Sequence, residues 1–190
     1  MSRIIKKWSD FGISTRYENS SFSDIEKVIS ESKIEAVKEW TSGKATENGL
    51  YIFYETPGTG KTILGVLAFK DLVKNDANIS RAFFISMRNL IYKIKYQYEE
   101  TADLMEKMLG SSLLMIDDID DVLADSDKVI EKVNIVIDEF YNYPEKKLIL
   151  TGNSTLPRLK EVFGARSYSR LFEMCLQLEL GGSDFRFGNN

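Results

Sequence analysis

The chain has 190 residues, a length that suits one domain with a substantial core but not two. Hydrophobic residues make up 43% of the sequence and charged residues 28%, which is ordinary for a soluble globular protein. The net charge of -4 argues against a basic coat over the whole surface. Any contact with nucleic acid is therefore expected to be local.

The residue types that are missing or rare limit the possible chemistry. Histidine is absent, which removes the commonest catalytic base and the usual zinc ligand, so any reaction must rest on carboxylates, lysine, arginine and a metal. Cys175 is the single cysteine, so no intramolecular disulfide can form and a reducing cytoplasm is expected. No apolar run approaches the roughly 20 residues of a membrane span, and no signal-peptide core is present, so no membrane partner is expected.

The N-terminal segment, Met1–Ser21, is basic at its start and apolar at near-helical spacing. Its apolar residues are Ile4, Ile5, Trp8 and Phe11. It either docks on a partner protein or folds back onto the sheet of its own chain. A helical pattern then begins at Ile25 and continues as an amphipathic helix that ends near Gly43. We therefore divide the chain into a segment over residues 1–21 and a domain over residues 22–190.

The rest of the chain is organised around Tyr51–Leu67, YIFYETPGTGKTILGVL. An apolar run enters a Pro/Gly turn and a helical pattern leaves it, which predicts a strand, a glycine loop and a helix over Lys61–Val73. The amides of such a loop and the helix N-terminus favour a polyphosphate. Lys61 is expected to reach the outer phosphates and the Thr62 hydroxyl to bind Mg²⁺. The candidate nucleotide-binding residues are Pro57, Gly58, Thr59, Gly60, Lys61, Thr62 and Ile63.

The strict pattern GxxxxGK[ST] is not met, because Glu55 occupies the position of its first glycine. A glycine-rich turn with a surface lysine is the alternative interpretation. The Glu55 carboxylate either repels ATP at the mouth of the loop or turns outward without effect. The choice depends on whether a metal-binding carboxylate follows a second buried strand.

A second buried strand does end in carboxylates. The continuous apolar run Leu113–Ile116 is followed at once by Asp117 and Asp118. The carboxyl ends of parallel strands are where open α/β sheets bind ligands. Asp117 is expected to hold Mg²⁺ directly or through water, and Asp118 to orient the attacking water. The alternative is a solvated acidic turn that these residues form with Asp120 and Asp121.

Strands and helices alternate through the remaining sequence, which predicts a parallel α/β sheet with helices on both faces. The predicted strands are Arg81–Met87, Lys147–Thr151 and Cys175–Leu180. The predicted helical regions are Arg88–Leu109, Lys128–Tyr141, Leu156–Phe163 and Ala165–Glu173. Asn153 follows one of these strands, where its amide can hydrogen-bond a γ-phosphate, although Gly-Asn is also common turn chemistry.

The first part of the long helical region, RNLIYKIKYQY, interleaves cations with tyrosines and contains no acid. Single-stranded nucleic acid requires both, because its phosphates need cations and its bases stack on flat rings. The candidate DNA-binding residues are Arg88, Tyr92, Lys93, Lys95 and Tyr96. Tyrosines and aliphatic residues at helical spacing are equally typical of a protein core, and both interpretations stay open.

The stretches GLYIFYETPGTGKT, LLMIDDID, LILTGN and GARSYSRL, in that order, resemble the AAA+ ATPase domain of the DnaC/DnaI-type replicative helicase loaders. Upstream, RYENSSF followed by EAVKEW resembles the segment that introduces this domain. The resemblance covers roughly residues 13–190. It implies a P-loop NTPase of the AAA+, ASCE type, a three-layer α/β sandwich with a five-stranded parallel sheet. It also implies ATP and Mg²⁺ as cofactors and weak ATP hydrolysis, stimulated by assembly or DNA.

The resemblance also assigns roles to residues around the nucleotide. Lys61 and Thr62 match the Walker A pair, and Asp117 matches the Walker B metal residue. Asp118 lies where other members of the family have Asp or Glu. Asn153 matches the sensor asparagine that contacts the γ-phosphate. These assignments agree with the chemistry that the residue types support.

Three arginines near the C-terminus receive roles by the same resemblance. Arg170 matches the arginine finger that is presented to the ATP of a neighbouring subunit, and Arg166 is the less favoured occupant of that role. Arg186 lies where the loaders place their second sensor arginine. A guanidinium stabilises charge on the transferring phosphoryl group, and its supply by a neighbour links turnover to assembly.

The partners implied by the resemblance are a replicative hexameric helicase, single-stranded DNA and further copies of the chain when ATP is bound. The helicase-binding domain of the bacterial loaders is reduced here to Met1–Ser21, which indicates a phage or mobile-element version. The leading hypothesis is a helicase loader. The alternatives are a nucleotide-gated adaptor that inhibits or scaffolds a replication protein without hydrolysis, and the helper ATPase of a transposase.

Overall fold

The structure is a computed structural model that describes residues 7–124 and 127–182. Its centre is a parallel sheet of five strands in the order β2, β3, β4, β1, β5. The strands are β1 (Gly49–Phe53), β2 (Ala82–Ser86), β3 (Leu113–Asp117), β4 (Lys147–Gly152) and β5 (Cys175–Glu179). The α-helices are α1 (Glu31–Thr41), α2 (Lys61–Asn75), α3 (Met87–Tyr96), α4 (Tyr98–Leu109), α5 (Asp127–Asn142) and α6 (Leu156–Met174). Short 3-10 helices cover Trp8–Phe11, Thr15–Tyr17, Phe22–Asp24 and Ile119–Ala124.

The central strands are buried on both sides, which explains why they read as continuous apolar runs. Every residue of β1 and β3 is buried, and so is all of β4 after its first residue. Because successive side chains of a strand point to opposite faces, the strands supply two separate cores. Leu50 and Leu113 belong to one core, and Tyr51 and Leu114 belong to the other.

One side of the sheet, the α2 face, is covered by α1, α2 and residues 7–29, which we name the leading segment. Gly65 lets α2 approach the strands closely: a Cβ atom on Gly65 would lie 2.7 Å from Met115 Cε and 3.2 Å from Thr151 Cγ2. The start of α2 is thereby fixed close to the carboxyl ends of β3 and β4.

Residues 7–21, the described part of the predicted N-terminal segment, fold back onto the sheet of their own chain, whereas Ile4 and Ile5 lie outside the described residues. Trp8, Ile13 and Tyr17 are buried in the same core as α2. The Lys70 ammonium of α2 donates to the carbonyl oxygens of Tyr17, Glu18 and Ser20 at 3.0, 2.9 and 3.0 Å. Residues on both sides of position 21 thus contribute to this core, and the division of the chain there stays a prediction.

The opposite side, the α5 face, is covered by α3, α4, α5 and α6. Their apolar residues, among them Leu90, Met108, Phe140 and Leu171, are buried against the other faces of the same strands. The predicted three-layer α/β sandwich with a five-stranded parallel sheet is confirmed.

Two helix predictions are wrong in detail. The helical pattern from Ile25 is not an α-helix until Glu31; before it, Ile25 and Ile29 are buried by a turn in which the Ile29 amide donates to the Ile25 carbonyl. Periodicity alone does not distinguish such a turn from a helix. The region Arg88–Leu109 is two helices, since Gln97 lies between them with φ -126° and ψ 59°.

Candidate functional site

The loop between β1 and α2 is shaped by two glycines. Gly58 and Gly60 have φ values of 75° and 92°, in the left-handed region that favours glycine. Gly60 is the N-cap of α2, and no side chain caps this helix end. The first amides of α2 are thus directed at whatever lies over the loop, and the helix dipole adds positive charge there. Such a helix end binds phosphate groups.

The Lys61 side chain lies within this loop rather than in solvent. Lys61 is 5% exposed, and its ammonium donates to the carbonyl oxygens of Tyr54 at 3.0 Å and Thr56 at 2.9 Å. The Thr59 hydroxyl, buried in the same loop, donates to the Thr56 carbonyl at 3.2 Å. The loop therefore holds a full positive charge beside the amides of α2.

Asp117 and Thr62 line the same cavity at the carboxyl edge of the sheet. The Thr151 hydroxyl donates to Asp117 Oδ1 at 2.6 Å. Burial raises the pKa of Asp117, while hydrogen bonding, first of all with Thr151, lowers it. A hydroxyl and a carboxylate on one side of a site fit Mg²⁺, which takes its other ligands from phosphates and water. Within residues 7–124 and 127–182 no group of three or more acidic, histidine or cysteine side chains could hold a metal.

Asp118 is the one residue other than glycine with positive φ (54°) in the described chain. Strained backbone of this kind occurs at functional sites when neighbouring contacts hold it. Here the Asp118 amide donates to the Thr151 hydroxyl at 3.0 Å. Burial and then the charge of Asp117 raise the pKa of Asp118 to about 6. The carboxylate is therefore ionised at neutral pH but basic enough to accept a proton.

The turn after β4 is fixed from two sides. The backbone amide of Asn153 donates to Asp120 Oδ2 at 2.6 Å, and the Tyr51 hydroxyl donates to the Ser154 carbonyl. Gly152 is required between them, because a Cβ atom there would lie 2.7 Å from the Tyr51 hydroxyl and 3.1 Å from Asp120 Oδ1. Asp120 thus supports the predicted sensor residue rather than forming part of a solvated turn.

A cavity of about 970 Å³ brings the predicted residues together. Its lining includes the predicted nucleotide, metal and sensor residues Pro57, Gly58, Gly60, Lys61, Thr62, Ile63, Asp117, Asp118 and Asn153. Ser14, Arg16 and Tyr17 of the leading segment form a further wall. This wall was not among the predicted site residues.

Glu55 does not line this cavity. Glu55 is exposed and lines a second cavity of about 390 Å³, which also borders Asp120, Asp121 and Arg158. Both cavities border Asn153, so Glu55 lies near the site without lining the larger cavity, and its effect on ATP stays a prediction.

The candidate arginine fingers lie on α6, away from this cavity. Arg170 is paired with Asp138 of α5, its guanidinium 5.2 Å from the Tyr141 ring, and its side chain is 16% exposed. Arg166 contacts the other oxygen of Asp138 at 3.1 Å and is 75% exposed. Both arginines therefore share one carboxylate. Arg186 lies outside the described residues.

The basic aromatic helix α3 is core on one side and surface on the other. Leu90 and Ile94 are buried, whereas Tyr92 and Tyr96 are 55% and 73% exposed, with ring centroids 5.4 Å apart. The core interpretation thus holds for the aliphatic residues and not for the tyrosines.

The cations of α3 differ in how they are held. Arg88 is largely exposed, lies 3.7 Å from Asp121 and borders the larger cavity. Lys93 pairs with Glu100 at 2.9 Å, and Lys95 lies in the last turn of α3. None of the described helices is both long and apolar enough to cross a membrane.

Three solved structures are similar to this chain along most of its length. The DnaC helicase loader is 22% identical with a TM-score of 0.66, over 88% of this chain and 100% of that chain. DnaI is 16% identical with a TM-score of 0.73, over 89% and 95%. The replication initiator DnaA bound to AMPPCP and single-stranded DNA is 22% identical with a TM-score of 0.63, over 80% and 46%. At these identities the likeness shows a shared fold.

No curated protein sequence matches the chain significantly. A family model, described as the ATPase family associated with various cellular activities (AAA), matches residues 51–171. The matched region begins in β1, contains the loop, Asp117 and Asn153, and ends in α6. Since it covers more than half of the chain and includes Lys61, Asp117 and Asn153, the protein belongs to the AAA family and has its ATPase-type nucleotide-binding fold.

Proposed function

We propose that the protein is an ATP-dependent loader of a replicative hexameric helicase. The observation that carries this proposal is the meeting of Lys61, Thr62 and Asp117 in one cavity above the glycine loop. The fold is also shared with the DnaC helicase loader along the whole of that chain. ATP would bind with Mg²⁺, and the ATP-bound copies would hold the helicase on single-stranded DNA until hydrolysis releases them.

Each residue of the cavity has a defined part in this proposal. The amides of Gly58, Gly60 and Thr62 bind phosphate oxygens, and Lys61 exchanges its loop carbonyls for the outer phosphates. Thr62 and Asp117 would hold Mg²⁺, which supplies charge neutralisation at the transferring phosphoryl group. Asp118 orients the attacking water and accepts its proton. The Asn153 side chain hydrogen-bonds the γ-phosphate.

The arginine supplied to a neighbour comes from α6. Arg170 can serve only after its ion pair with Asp138 opens, whereas Arg166 is already exposed. Because both guanidinium groups bind the same carboxylate, Arg166 can retain Asp138 while Arg170 moves to the phosphates of the next subunit. The shared carboxylate therefore lowers the cost of releasing Arg170.

Single-stranded DNA would bind along α3. Tyr92 and Tyr96 offer two neighbouring exposed rings for stacking, and Arg88 is an exposed cation on the same helix. A local contact of this kind agrees with the net charge of -4, which argues against a basic coat over the whole surface.

A non-hydrolysing adaptor is the second candidate. It is favoured by Asp118, whose side chain is shorter than the Glu that some family members have at this position and whose backbone is strained. A transposase helper would use the same cavity, so it differs from the loader only in its partner.

The nucleotide site is tested by calorimetric titration of ATP with Mg²⁺ into the wild-type protein and the Lys61→Ala variant. We expect the variant to bind at least about 100-fold more weakly, because the ammonium contacts a multiply charged ligand in a buried loop. Lys44→Ala, which removes an exposed lysine after α1, is the matched control and should bind as the wild type does. An unchanged affinity in Lys61→Ala contradicts the proposal.

The three functions separate in two further measurements on the intact protein. A loader shows ATP hydrolysis stimulated by single-stranded DNA and is retained by the replicative hexameric helicase in the presence of ATP. The adaptor shows retention without stimulated hydrolysis. The transposase helper shows hydrolysis without retention by the helicase.

A further inference from the structure

The larger cavity contains a cation that no nucleotide-binding motif accounts for. Arg16 of the leading segment lines it together with Lys61, Thr62 and Asp117, although 45 residues separate Arg16 from Lys61 in the sequence. The residue is exposed, so its guanidinium is available to a ligand in the cavity. An arginine beside an anion-binding loop is a second potential phosphate ligand.

The side chain of Arg16 is held by its neighbour. Its Cζ lies 4.3 Å from the centroid of the Tyr17 ring, and its Nη2 donates to the Tyr17 hydroxyl. Tyr17 is itself 8% exposed and packed in the core of the α2 face. The ring thus serves as a fixed support that restricts the guanidinium before any ligand arrives. A guanidinium has further donors in the same plane, which suit the oxygens of a phosphate.

Arg16 borders the same cavity as Thr62 and Asp117, the two residues proposed to hold Mg²⁺. Of the groups in a bound nucleotide, a phosphate suits a guanidinium best, because its charged oxygens accept hydrogen bonds from the planar donors.

The leading segment is fastened to the helix that starts at the phosphate loop. Lys70 of α2 donates to three carbonyl oxygens within residues 17–20, and Lys70 is 5% exposed. The three bonds begin one residue after Arg16. Arg16 and the amides of α2 therefore belong to one rigid unit, which is the condition for a pre-organised binding site.

We propose that Arg16 binds the outer phosphate oxygens of a nucleoside triphosphate held by the same subunit, and so distinguishes a triphosphate from a diphosphate. This inference rests on the nucleotide binding proposed above. The proposed function itself does not depend on Arg16. It differs from the role of α6, whose arginines serve a neighbouring subunit. Loss of Arg16 should weaken ATP more than ADP, because ADP lacks the outermost phosphate.

The test is fluorescence titration with N-methylanthraniloyl-labelled ATP and ADP, each with Mg²⁺, on the wild type, Arg16→Ala and Arg16→Lys. We expect Arg16→Ala to bind the ATP analogue about tenfold more weakly and the ADP analogue less than about threefold more weakly. Arg16→Lys keeps the charge but loses the bidentate geometry, so its affinity for the ATP analogue should lie between those of the wild type and Arg16→Ala. Arg81→Ala removes an exposed arginine at the amino end of β2 and should change neither affinity.

An equal loss for both nucleotides overturns the inference, because Arg16 then acts on the shape of the cavity or on the base. No loss for either nucleotide overturns it as well. Thermal unfolding without nucleotide should be unchanged in Arg16→Ala; if that variant is unstable, the ratio of ATP to ADP affinity in Arg16→Lys decides. Wild-type binding that depends on Lys61 but not on Arg16 refutes this inference alone, whereas the absence of any wild-type binding refutes the proposed function.

Discussion

The two faces of the sheet differ in whether their polar side chains are bound within the chain or exposed to solvent. On the α2 face Lys70 is buried and bound to three carbonyls of the leading segment. On the α5 face Tyr92 and Tyr96 are exposed, and Arg166 reaches solvent beside its ion pair. The buried ammonium on the α2 face thus finds its hydrogen-bond partners within the chain, whereas the tyrosine rings and the arginine on the α5 face are accessible from solvent. We infer that the first holds the nucleotide and that the second meets partners.

This contrast predicts different effects of substitutions on the free energy of unfolding. A buried polar group that loses its partner costs the desolvation of the group left behind, whereas an exposed group can be removed at little cost to stability. Variants on the α2 face should therefore change the free energy of unfolding. Variants on the α5 face should change binding with little effect on folding.

The largest change in stability is expected for Lys70→Met. Methionine keeps much of the aliphatic stem but leaves three carbonyl oxygens without their donor, so the free energy of unfolding should fall by about 2 to 3 kcal/mol. Urea unfolding measures it. Lys107→Met, which replaces an exposed lysine of α4, is the matched control and should change stability by less than about 0.5 kcal/mol. Equal effects of the two variants would show that the leading segment is not held by Lys70.

A smaller effect, on binding alone, is expected for the double variant Tyr92→Ala and Tyr96→Ala. Loss of two stacking rings should weaken binding of a single-stranded oligonucleotide by about tenfold or more, as measured by fluorescence anisotropy. Urea unfolding should be nearly unchanged, since both rings are exposed. Tyr143→Ala, which removes an exposed tyrosine after α5, is the control. Unchanged DNA affinity in the double variant would remove α3 from the DNA-binding surface.

The smallest expected effect lies between the faces, at Asp118. Its pKa is raised to about 6 in the folded protein from 3.8, so the folded state binds the proton more tightly and stability falls as the pH rises through this interval. Asp118→Asn removes the buried charge and should stabilise the nucleotide-free, metal-free protein by about 1 kcal/mol at about pH 8, after allowance for partial exposure, and not at about pH 4.

Urea unfolding at the two pH values measures this difference. Asp103→Asn, an exposed residue of α4, should show no such pH dependence and serves as control. A stabilisation of Asp118→Asn that is equal at both pH values would mean that the charge is not its cause.

Much of the site can be predicted from the sequence, because the relevant signals are local. A continuous apolar run indicates a buried strand, and the residue after it must lie at the sheet edge, which places Asp117 beside the loop. The loop itself is read from its glycines and Lys61. The order of these parts in the chain is enough to predict the fold.

The supporting contacts are not predictable in the same way. Thr151, Asp120 and Lys70 act through partners 33 to 53 residues away in the sequence, as in the bond of Lys70 to Tyr17. The acidic run LLMIDDID draws attention to Asp120, but nothing adjacent to Thr151 or Lys70 indicates a polar role. The late start of α1 has a similar cause, since the burial of Ile25 and Ile29 is decided by tertiary packing.

The bridge at Thr151 has a further consequence. A hydroxyl carries one proton, and here that proton is given to Asp117 while the oxygen accepts from the amide of Asp118. The direction of both hydrogen bonds that the Thr151 hydroxyl makes with the end of β3 is thus fixed. Valine has nearly the same shape as threonine but would leave an amide and a carboxylate oxygen without partners in a closed space. Position 151 therefore requires a side chain that both donates and accepts a hydrogen bond, and the shape of threonine alone is not enough.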